Sequence, residues 1–464
     1  MKFWTFIFCF LFLRLLGQDF KNVKLLDHWY SDTLITNSSE VRYSGCWAFE
    51  QNGKEYGVIG STEGAHFFEL TNDNKFHFID FVPGRFVSPQ AINREYKIYK
   101  NYLYAVCDDG PSSLQIIDVS YLPDSVHLVS DLRDNFFGKT HNLFVDSENE
   151  LLYLCKVTPV VNGIESAMIP LRVYSLSNPL HPSLIWQSSE EIQDVHDIYV
   201  RNKIAILNCG YDGIRVFDFS NPSSPIYLNG LQIYQQQGYN HQGWLCPNGT
   251  TYIFADETSG MHVKKASFYQ DYSFKINSFF GTPNEPYNKT PHNIHCTDEF
   301  AFIAYYNDGL RIYDIRLNPP REIAFYDTYI DNEKTNNFSM WGAWGIHALL
   351  PSQRILLSDR NSGFYLFNFD RDFFINQASE DVLVYPNPAD KKDSIFIRIP
   401  YDKMNSFSFE LLDLDGKLIN SSVISGQSYT IINSPKTSGI YFLKITFNNA
   451  YNNQICVTKK VLID

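Results

Sequence analysis

The stretch GIRVFDFSNPSSP, residues 213–225, carries the strongest fold signal in this chain, because six other segments repeat its pattern. Each copy is an apolar, strand-like run that follows a turn, and most copies end in a turn that contains proline. The copies begin at Gly64, Ser113, Pro170, Gly213, Gly260, Gly309 and Gly363. They follow one another at intervals of about 50 residues, a period typical of β-propeller blades and, less often, of β-solenoids.

The segments around each copy also recur in a fixed order. A short strand such as HDIYV (196–200) comes first, an apolar strand such as KIAILN (203–208) precedes the copy, and a further strand such as REIAFYDTY (321–329) follows it. Four strands per unit, named A to D, and seven units predict an all-β chain with a seven-bladed β-propeller over residues 18–375. The segment VKLLDHWYSD (23–32) is predicted to supply the last D strand and so to close the ring.

Composition agrees with a strand-rich protein. Of 464 residues, 44 % are hydrophobic and 16 % aromatic, which suits pleated, half-buried surfaces. The net charge is −13, and the chain has no basic run. We therefore expect no binding to nucleic acid and none to anionic lipid surfaces.

The N-terminus predicts export. Residues 1–17 form a short apolar run after Lys2 and are predicted to be a signal peptide, with an uncleaved anchor as the alternative. The mature chain then has no transmembrane segment. Seven cysteines remain beyond Cys9, and none forms a C-x-x-C pair. They are predicted to be small buried hydrophobic residues and not a zinc or dithiol site.

The repeat pattern ends near residue 375, and residues 376–464 predict a linker and a small Ig-like β-sandwich. This tail resembles the C-terminal sorting domain of type IX secretion cargo in the Bacteroidetes. The matching motifs are Tyr385-Pro386-Asn387-Pro388, Asp415-Gly416-Lys417, Ser438-Gly439-Ile440-Tyr441 and Lys459-Lys460-Val461-Leu462. The resemblance implies that residues 383–464 engage the type IX secretion machinery, and that the protein is released or attached to the cell surface. An ordinary terminal Ig-like domain is the alternative.

The repeats themselves resemble the LVIVD-repeat, choice-of-anchor B family of secreted propellers. The resemblance rests on LQIIDVS, IRVFDFS and LRIYDIR, on GYNHQGWL (238–245) with Asp256-Glu257, and on GAWG (342–345). It implies a propeller fold and an extracellular location. The resemblance does not imply any established enzymatic reaction.

The candidate ligand-binding site is built mainly from histidines. Five of them recur at the period of the repeat, and we place all five at the start of strand A: His141, His196, His241, His292 and His347. The remaining histidines, including His66 and His295, are predicted to lie at the surface or in turns. The B–C turns carry carboxylates that should face the same mouth of the central channel. The predicted ligand-binding residues are His141, His196, His241, Gln242, Trp244, Asp256, Glu257, His292, His347 and Asp359.

Two accounts of these histidines stay open. Each imidazole could fasten a turn aspartate within its own blade, at about 3 Å. Alternatively His241, His292 and His347 could hold a divalent metal inside the channel, with carboxylates behind them. No known catalytic motif occurs. The sequence therefore favours a secreted or cell-surface module that binds an extracellular glycan, protein or small molecule, with a metal-assisted hydrolase or lyase as the alternative.

Overall fold

The computed structural model describes residues 20–281, 289–329, 340–376, 382–399, 406–448 and 454–464. The predicted signal peptide lies outside these residues, and so do residues 377–381 of the predicted linker. The described chain is all-β apart from one short helix, α1 (Arg371–Asn376). No helix among the described residues is long and apolar enough to cross a membrane.

Seven antiparallel sheets of similar build occupy residues 20–368, and we number them 1 to 7 along the chain. Two strands precede them, β1 (Phe20–Lys21) and β2 (Lys24–Trp29). Sheet 1 contains β3 (Tyr43–Gln51), β4 (Lys54–Ser61), β5 (Gly64–Leu70) and β6 (Phe76–Pro83). Sheet 2 contains β7 (Arg94–Tyr99), β8 (Tyr102–Cys107), β9 (Leu114–Asp118) and β10 (His127–Leu132). Sheet 3 contains β11 (Gly138–Lys139), β12 (Asn142–Asp146), β13 (Leu151–Val161), β14 (Ile164–Glu165), β15 (Ile169–Ser175) and β16 (Ser183–Gln187).

The other four sheets repeat the same order of strands. Sheet 4 contains β17 (Asp197–Arg201), β18 (Ile204–Asn208), β19 (Ile214–Asp218) and β20 (Ile226–Leu231). Sheet 5 contains β21 (Asn240–Leu245), β22 (Thr251–Asp256), β23 (Val263–Phe268) and β24 (Phe274–Phe280). Sheet 6 contains β25 (Ile294–Cys296), β26 (Phe300–Ala304), β27 (Leu310–Asp314) and β28 (Arg321–Tyr326), and sheet 7 contains β29 (Ala343–His347), β30 (Ile355–Asp359) and β31 (Gly363–Asn368).

The N-terminal strands complete the last two sheets. Strand β2 pairs antiparallel with β31, with Leu25 opposite Phe367 and Trp29 opposite Phe364. Strand β1 adds to β28 in sheet 6, with Phe20 opposite Tyr326. The N-terminal segment thus supplies the fourth strand of sheet 7, as predicted, and it also covers an edge of sheet 6 that the sequence did not point to. Covered edges protect a sheet from pairing with other chains.

One inner strand from each of the seven sheets lies around a common axis. Strands β3, β7, β12, β17, β21, β25 and β29 contact one another in this order, and β29 contacts β3 again. We call the space that they enclose the central channel. Between neighbouring sheets lie buried apolar clusters, for example around Tyr96 and Leu103 between sheets 1 and 2. Alternating apolar residues on both faces of each strand produce these clusters, because every sheet is covered on both sides.

Short turns join the second and third strands of several sheets, and glycine is required in some of them. Gly309 has a φ of +72°, and a Cβ at this position would lie 2.2 Å from the carbonyl oxygen of Tyr326. Any larger residue would therefore clash as well as strain the backbone. This explains why the repeated phrase so often begins with glycine.

Residues 383–463 form two further antiparallel sheets. One contains β32 (Leu383–Tyr385), β33 (Ser394–Arg398) and β36 (Tyr429–Asn433), and the other contains β34 (Ser406–Leu412), β35 (Leu418–Ser425), β37 (Gly439–Asn448) and β38 (Gln454–Ile463). They share one apolar core that includes Ile395, Phe409, Leu443 and Val461. Two sheets around a common core are the arrangement expected of a small β-sandwich.

Candidate functional site

Four of the five predicted histidines lie side by side at one level of the central channel. The ring centroids of His141 and His196 are 4.2 Å apart, those of His196 and His241 4.1 Å, and those of His241 and His292 4.2 Å. We call these four residues the histidine arc. They come from sheets 3, 4, 5 and 6, so one imidazole per sheet follows the curve of the inner strands.

Trp344 occupies the next position of the arc in sheet 7. Its ring lies 4.1 Å from that of His292, and its Nε1 donates a hydrogen bond of 3.2 Å to Glu95 Oε1. Sheet 1 contributes no side chain at this level, because it has Gly45 there. A Cβ at Gly45 would lie 2.6 Å from the Glu95 side chain. The arc therefore continues through a tryptophan to a carboxylate.

The structure does not place His347 beside the other four histidines. The prediction that all five lie at the start of strand A is therefore wrong for His347. His347 lies at the far end of β29, three residues after Trp344, and belongs to a second ring of side chains deeper in the channel. Its imidazole is 4.7 Å from Trp47 and 5.1 Å from His295. It is not part of the metal-ligand group described below. A β-bulge between Ala343 and Gly345 shifts the register of β29, so counting by the repeat period points to the wrong residue.

Seven residues, one from each sheet, form this second ring. Its members are Trp47, Lys97, Phe144, Tyr199, Trp244, His295 and His347. Neighbouring aromatic centroids lie between 4.1 and 5.7 Å apart, and Lys97 Nζ sits 3.9 Å from the Trp47 centroid. The cavity at this level, about 40 Å³, is too small for a drug-sized ligand. Trp244, a predicted ligand-binding residue, therefore belongs to a ring that fills the channel.

Two histidines predicted at the surface are in fact buried. His295 is 4 % exposed in the second ring. His66 is 7 % exposed and packs between Trp29 and Phe81, with Nε2 2.9 Å from Ser61 Oγ. Both predictions were wrong. They were based on spacing alone, since neither residue follows the spacing that marks the arc.

Hydrogen bonds set the tautomers of the arc. His196 Nδ1 donates to the His241 carbonyl oxygen at 3.2 Å, and His292 Nδ1 donates to the Trp344 carbonyl oxygen at 2.7 Å. A carbonyl oxygen only accepts, so Nδ1 carries the proton in both rings. The Nε2 atoms therefore present lone pairs. His292 Nε2 has no hydrogen-bond partner within the described structure.

Glu257 faces the Nε2 atoms of His241 and His292 from the turn after β22. Its carboxylate oxygens lie 3.9 Å from His241 Nε2 and 3.8 Å from His292 Nε2, and Tyr306 donates its hydroxyl to Oε1. The ligand atoms of His196, His241 and Glu257 all lie within 4.8 Å of one another. Two imidazoles and one carboxylate are a zinc-type ligand set. At bonds of about 2.0–2.2 Å and tetrahedral angles, two ligand atoms of one zinc ion lie about 3.3–3.6 Å apart, so the three side chains would have to move closer together to hold the ion.

Burial keeps three of the four imidazoles of the arc neutral. Desolvation lowers the pKa of His196, His241 and His292 well below the ordinary value, and neighbouring positive charges act in the same direction. Neutral imidazoles bind metals, whereas imidazolium does not. His196, His241 and His292 are thus in their metal-binding form at neutral pH.

His141 differs from the rest of the arc. Its Nδ1 lies 2.5 Å from Asp108 Oδ2, and Asp108 belongs to the turn after β8 in the neighbouring sheet. Burial lowers the pKa of His141, but the bond to Asp108 more than compensates and the net pKa is raised. The same bond overcomes desolvation at Asp108 and lowers its pKa. Among the described residues this is the one His–Asp hydrogen bond of the arc, and it joins two sheets instead of fastening a turn within one.

Two predicted carboxylates serve the fold instead of the mouth of the channel. Asp256 is fully buried, where it binds Lys264 Nζ at 2.9 Å and Tyr234 Oη at 2.7 Å. Asp359 is equally buried and accepts a 2.6 Å hydrogen bond from Thr328 Oγ1. In each of these two turns, the residue that follows the aspartate faces the arc instead, as Glu257 does after Asp256.

Gln242 also has a structural role. Its Oε1 accepts from the Ile294 backbone nitrogen at 2.9 Å, and its Nε2 donates to the Ile294 carbonyl oxygen at 3.2 Å. Both bonds bridge sheets 5 and 6. The amide is thereby held by the backbone of Ile294.

The turn residues at the mouth were largely missed by sequence reasoning. Arg360 lies 4.3 Å above the Trp344 ring, and Lys156 Nζ lies 3.0 Å from Asp194 Oδ1 and 2.7 Å from Tyr239 Oη. These mouth residues share one position in the repeat. Each directly follows the second strand of its sheet or lies at the corresponding bend. The residues at this position around the arc are Asp108, Lys156, Glu257, Tyr306 and Arg360.

Residues 383–464 match the family model of the secretion system C-terminal sorting domain. The protein is accordingly secreted or attached to the outer-membrane surface, and the tail implies interaction with the type IX secretion machinery. The fold and this tail define an exported all-β protein with a propeller-like body and a C-terminal sorting domain. No curated protein matches the chain.

Several solved structures resemble the chain at low identity. The extracellular domain of a one component system from B. thetaiotaomicron is 12 % identical with a TM-score of 0.46, and the match covers 94 % of this chain and 60 % of that one. A Lactobacillus plantarum protein is 10 % identical with a TM-score of 0.48, covering 80 % and 96 %. A protein assigned as a 6-phosphogluconolactonase from Bacteroides uniformis is 13 % identical with a TM-score of 0.47, covering 80 % and 95 %. This chain spans about three fifths of the first of these, at 60 % of its length.

Proposed function

We propose that this protein is an extracellular binding module that holds a divalent transition metal at the mouth of its central channel and uses it to bind a polar ligand. The metal ligands are His196, His241 and Glu257. The observation that carries the proposal is the mutual spacing of their ligand atoms, all within 4.8 Å. The metal ligands predicted from the sequence were His241, His292 and His347. The proposed set retains His241 and replaces the other two with His196 and Glu257.

The surroundings of the three residues support metal binding. The imidazoles are 6 % and 2 % exposed, so their ligand atoms are held by packing and do not have to be ordered on binding. Glu257 supplies a negative charge that compensates part of the metal charge. Arg360 adds positive charge beside the arc, which favours a ligand that carries a carboxylate or another anionic group, whereas the charge of Lys156 is compensated by Asp194.

The proposal extends to the architecture. We infer that sheets 1 to 7 are the seven blades of one closed propeller spanning residues 18–375, a reading supported by the continuous contacts among their first strands. The resemblance to the LVIVD-repeat, choice-of-anchor B family supports the same reading. Residues 1–17 act as the signal peptide, and residues 376–464 comprise the linker and the sorting sandwich.

A metal-assisted hydrolase or lyase is the second candidate, and one observation favours it. The His141–Asp108 pair lies next to His196, with ring centroids 4.2 Å apart. A histidine that is oriented by a carboxylate beside a metal can transfer protons to and from bound substrate. In that case His141 would act as general acid or base, and the metal would polarise the substrate or activate a water molecule.

Metal analysis tests the proposal. Protein purified without chelators is dialysed against Zn²⁺ and its metal content and zinc affinity are measured by elemental analysis and calorimetry. We expect one equivalent of zinc in the parent protein and none in the His196→Asn/His241→Asn variant. His347→Asn removes a buried imidazole from the same channel outside the ligand set, and should bind zinc like the parent. Equal zinc binding by the double variant, or none by the parent, would overturn the proposal.

The same proteins separate the two candidate functions. His141→Asn leaves all three proposed metal ligands in place, so zinc binding should persist. If the parent hydrolyses ester or glycoside substrates and His141→Asn does not, the enzyme reading replaces the binding module. Absence of turnover in both supports the binding module.

A further inference from the structure

Two buried cysteines face each other between sheets 5 and 6. Cys246 directly follows β21, and Cys296 is the last residue of β25. Their Sγ atoms are 2.7 Å apart, and both residues are 0 % exposed. The two thiols are unbonded in the structure, but this distance is shorter than an ordinary contact between two sulfur atoms, and a small approach would bring them to the bond length of about 2.05 Å of a disulfide.

The pair is specific among the cysteines of the chain. Apart from Cys9, seven cysteines occur, and six of them are buried: Cys46, Cys107, Cys155, Cys209, Cys246 and Cys296. Within the described structure no other two cysteine sulfurs come within hydrogen-bonding distance. The other buried thiols behave as the small hydrophobic residues that the sequence predicts.

We propose that Cys246 and Cys296 form a disulfide in the exported protein. The sorting tail places the folded chain outside the cytoplasm, where disulfides form and persist. The bond would join two sheets that share no continuous backbone hydrogen-bonded ladder. This inference is independent of the proposed metal site.

The oxidant is the disulfide of a thiol-exchange partner in the periplasm. The Cys246 thiolate attacks that disulfide and forms a mixed disulfide, and one partner thiolate leaves. The Cys296 thiolate then attacks Cys246 Sγ and expels the second partner thiolate. Two protein thiols lose two protons and two electrons, and one partner disulfide gains them as two thiols. Because burial raises the pKa of the folded Cys296 thiol, exchange takes place before the sheets close.

The position of the bond gives it a functional consequence. Cys246 lies five residues after His241, and Cys296 lies four residues after His292. The bond therefore fixes the two strands that carry half of the histidine arc, and Glu257 lies within the loop that it closes. In the oxidised protein the spacing between these imidazoles is covalently constrained.

Thiol mapping tests the proposal on mature protein recovered from an oxidising compartment. The protein is denatured, alkylated without reductant, digested and examined by mass spectrometry. We expect all but two of the seven cysteines to be alkylated, and one linked peptide pair that contains Cys246 and Cys296 and disappears on reduction. Full alkylation of both residues without reductant would overturn the proposal.

A melting comparison gives a second readout. Reductant should lower the melting temperature of the parent and of the control variant Cys155→Ala/Cys209→Ala, which loses two other buried thiols. It should not change the melting temperature of Cys246→Ala/Cys296→Ala. If that variant does not fold, mapping of the parent alone decides. A parent whose melting temperature is insensitive to reductant, together with full alkylation, would refute the bond.

Discussion

His141 Nδ1 and Asp108 Oδ2 lie 2.5 Å apart and join sheet 3 to sheet 2 at the mouth of the central channel. The bond raises the pKa of His141 against the effect of burial, and it lowers the pKa of Asp108 against the same effect. Both shifts favour the charged forms. The pair is therefore an ion pair over a defined pH range, and its contribution to stability must change with pH.

We predict that Asp108→Asn destabilises the protein most in mildly acidic solution. A raised histidine pKa gives stability that is complete below the ordinary value of about 6.5 and is lost as pH rises through the folded pKa. A lowered aspartate pKa gives stability that is present above the ordinary value of about 3.9 and is lost as pH falls through the folded pKa. The cost of the substitution should be about 1.5–3 kcal/mol near pH 5.5 and smaller near pH 9.

Urea unfolding at several pH values measures this difference. Asp212→Asn is the matched control, because Asp212 occupies a similar turn in sheet 4 and has only a 4.0 Å contact with Arg215. Its effect should be small and independent of pH. A cost for Asp108→Asn that is the same at pH 5.5 and pH 9 would show that the two residues do not form an ion pair.

The fold could be predicted from the sequence because its signals are local and repeated. Seven copies of one phrase, with strands before and after them, correspond to seven sheets in the described residues. The N-terminal segment has the character of a last strand, and β2 does pair with β31. Such patterns survive changes in loop length, because each depends on only a few neighbouring residues.

The site was harder to predict, because the register inside a strand is not visible in the repeat period. Side chains that face the channel come in pairs three residues apart, such as His292 with His295 and Trp344 with His347. In a regular strand, residues two apart lie on the same side. A bulge, as in β21 and β29, adds one residue, so that residues three apart lie on the same side. The spacing of 55 residues from His292 to His347 matched the period and still connected two different rings.

Adjacent turn residues posed a second difficulty. Asp256 and Glu257 look equivalent in the sequence, yet one is fully buried against Lys264 and the other faces His241. Which of two neighbouring carboxylates faces the channel depends on the path of the turn. The turn path depends on partners in other strands, which sequence spacing does not reveal.

Gln242 provides a test of its structural role. Gln242→Ala removes two hydrogen bonds to the Ile294 backbone and leaves a buried N–H and a buried carbonyl without a partner. We expect a loss of about 1–3 kcal/mol in the free energy of unfolding. Zinc affinity should not change, because the amide does not face the arc. Gln235→Ala, in an exposed turn, serves as the control and should change stability by less than about 0.5 kcal/mol.

If Gln242 instead contacts the ligand, the result would be reversed. Stability would then stay at the parent value while binding weakens. Denaturant unfolding and calorimetry on the same protein samples distinguish these outcomes directly.

The closing strand predicts a graded response to N-terminal truncation. Deleting residues 18–35 removes β1 and β2 and exposes the edge of β31. It also uncovers the buried residues of sheets 6 and 7 that pack around Val23. We expect a steep fall in melting temperature and aggregation through the free edge. Deleting only residues 18–22 removes β1, which pairs through two residues, and should lower the melting temperature far less. Equal melting temperatures for the parent and the longer deletion would contradict closure.

Export should depend on a folded tail. Residues 383–464 match the sorting domain and build their own core, in which Ile445 is fully buried. Deleting them should leave the protein in the periplasm, and Ile445→Asp should do the same at full length, because an unpaired charge in the core unfolds the tail. Ser422→Asp places the same charge on the exposed strand β35 and should be exported normally. Immunoblots of periplasmic, outer-membrane and medium fractions measure all four proteins. Export of Ile445→Asp at the parent level would show that the motifs suffice without the fold, and export of the truncated chain would remove the tail from the mechanism altogether.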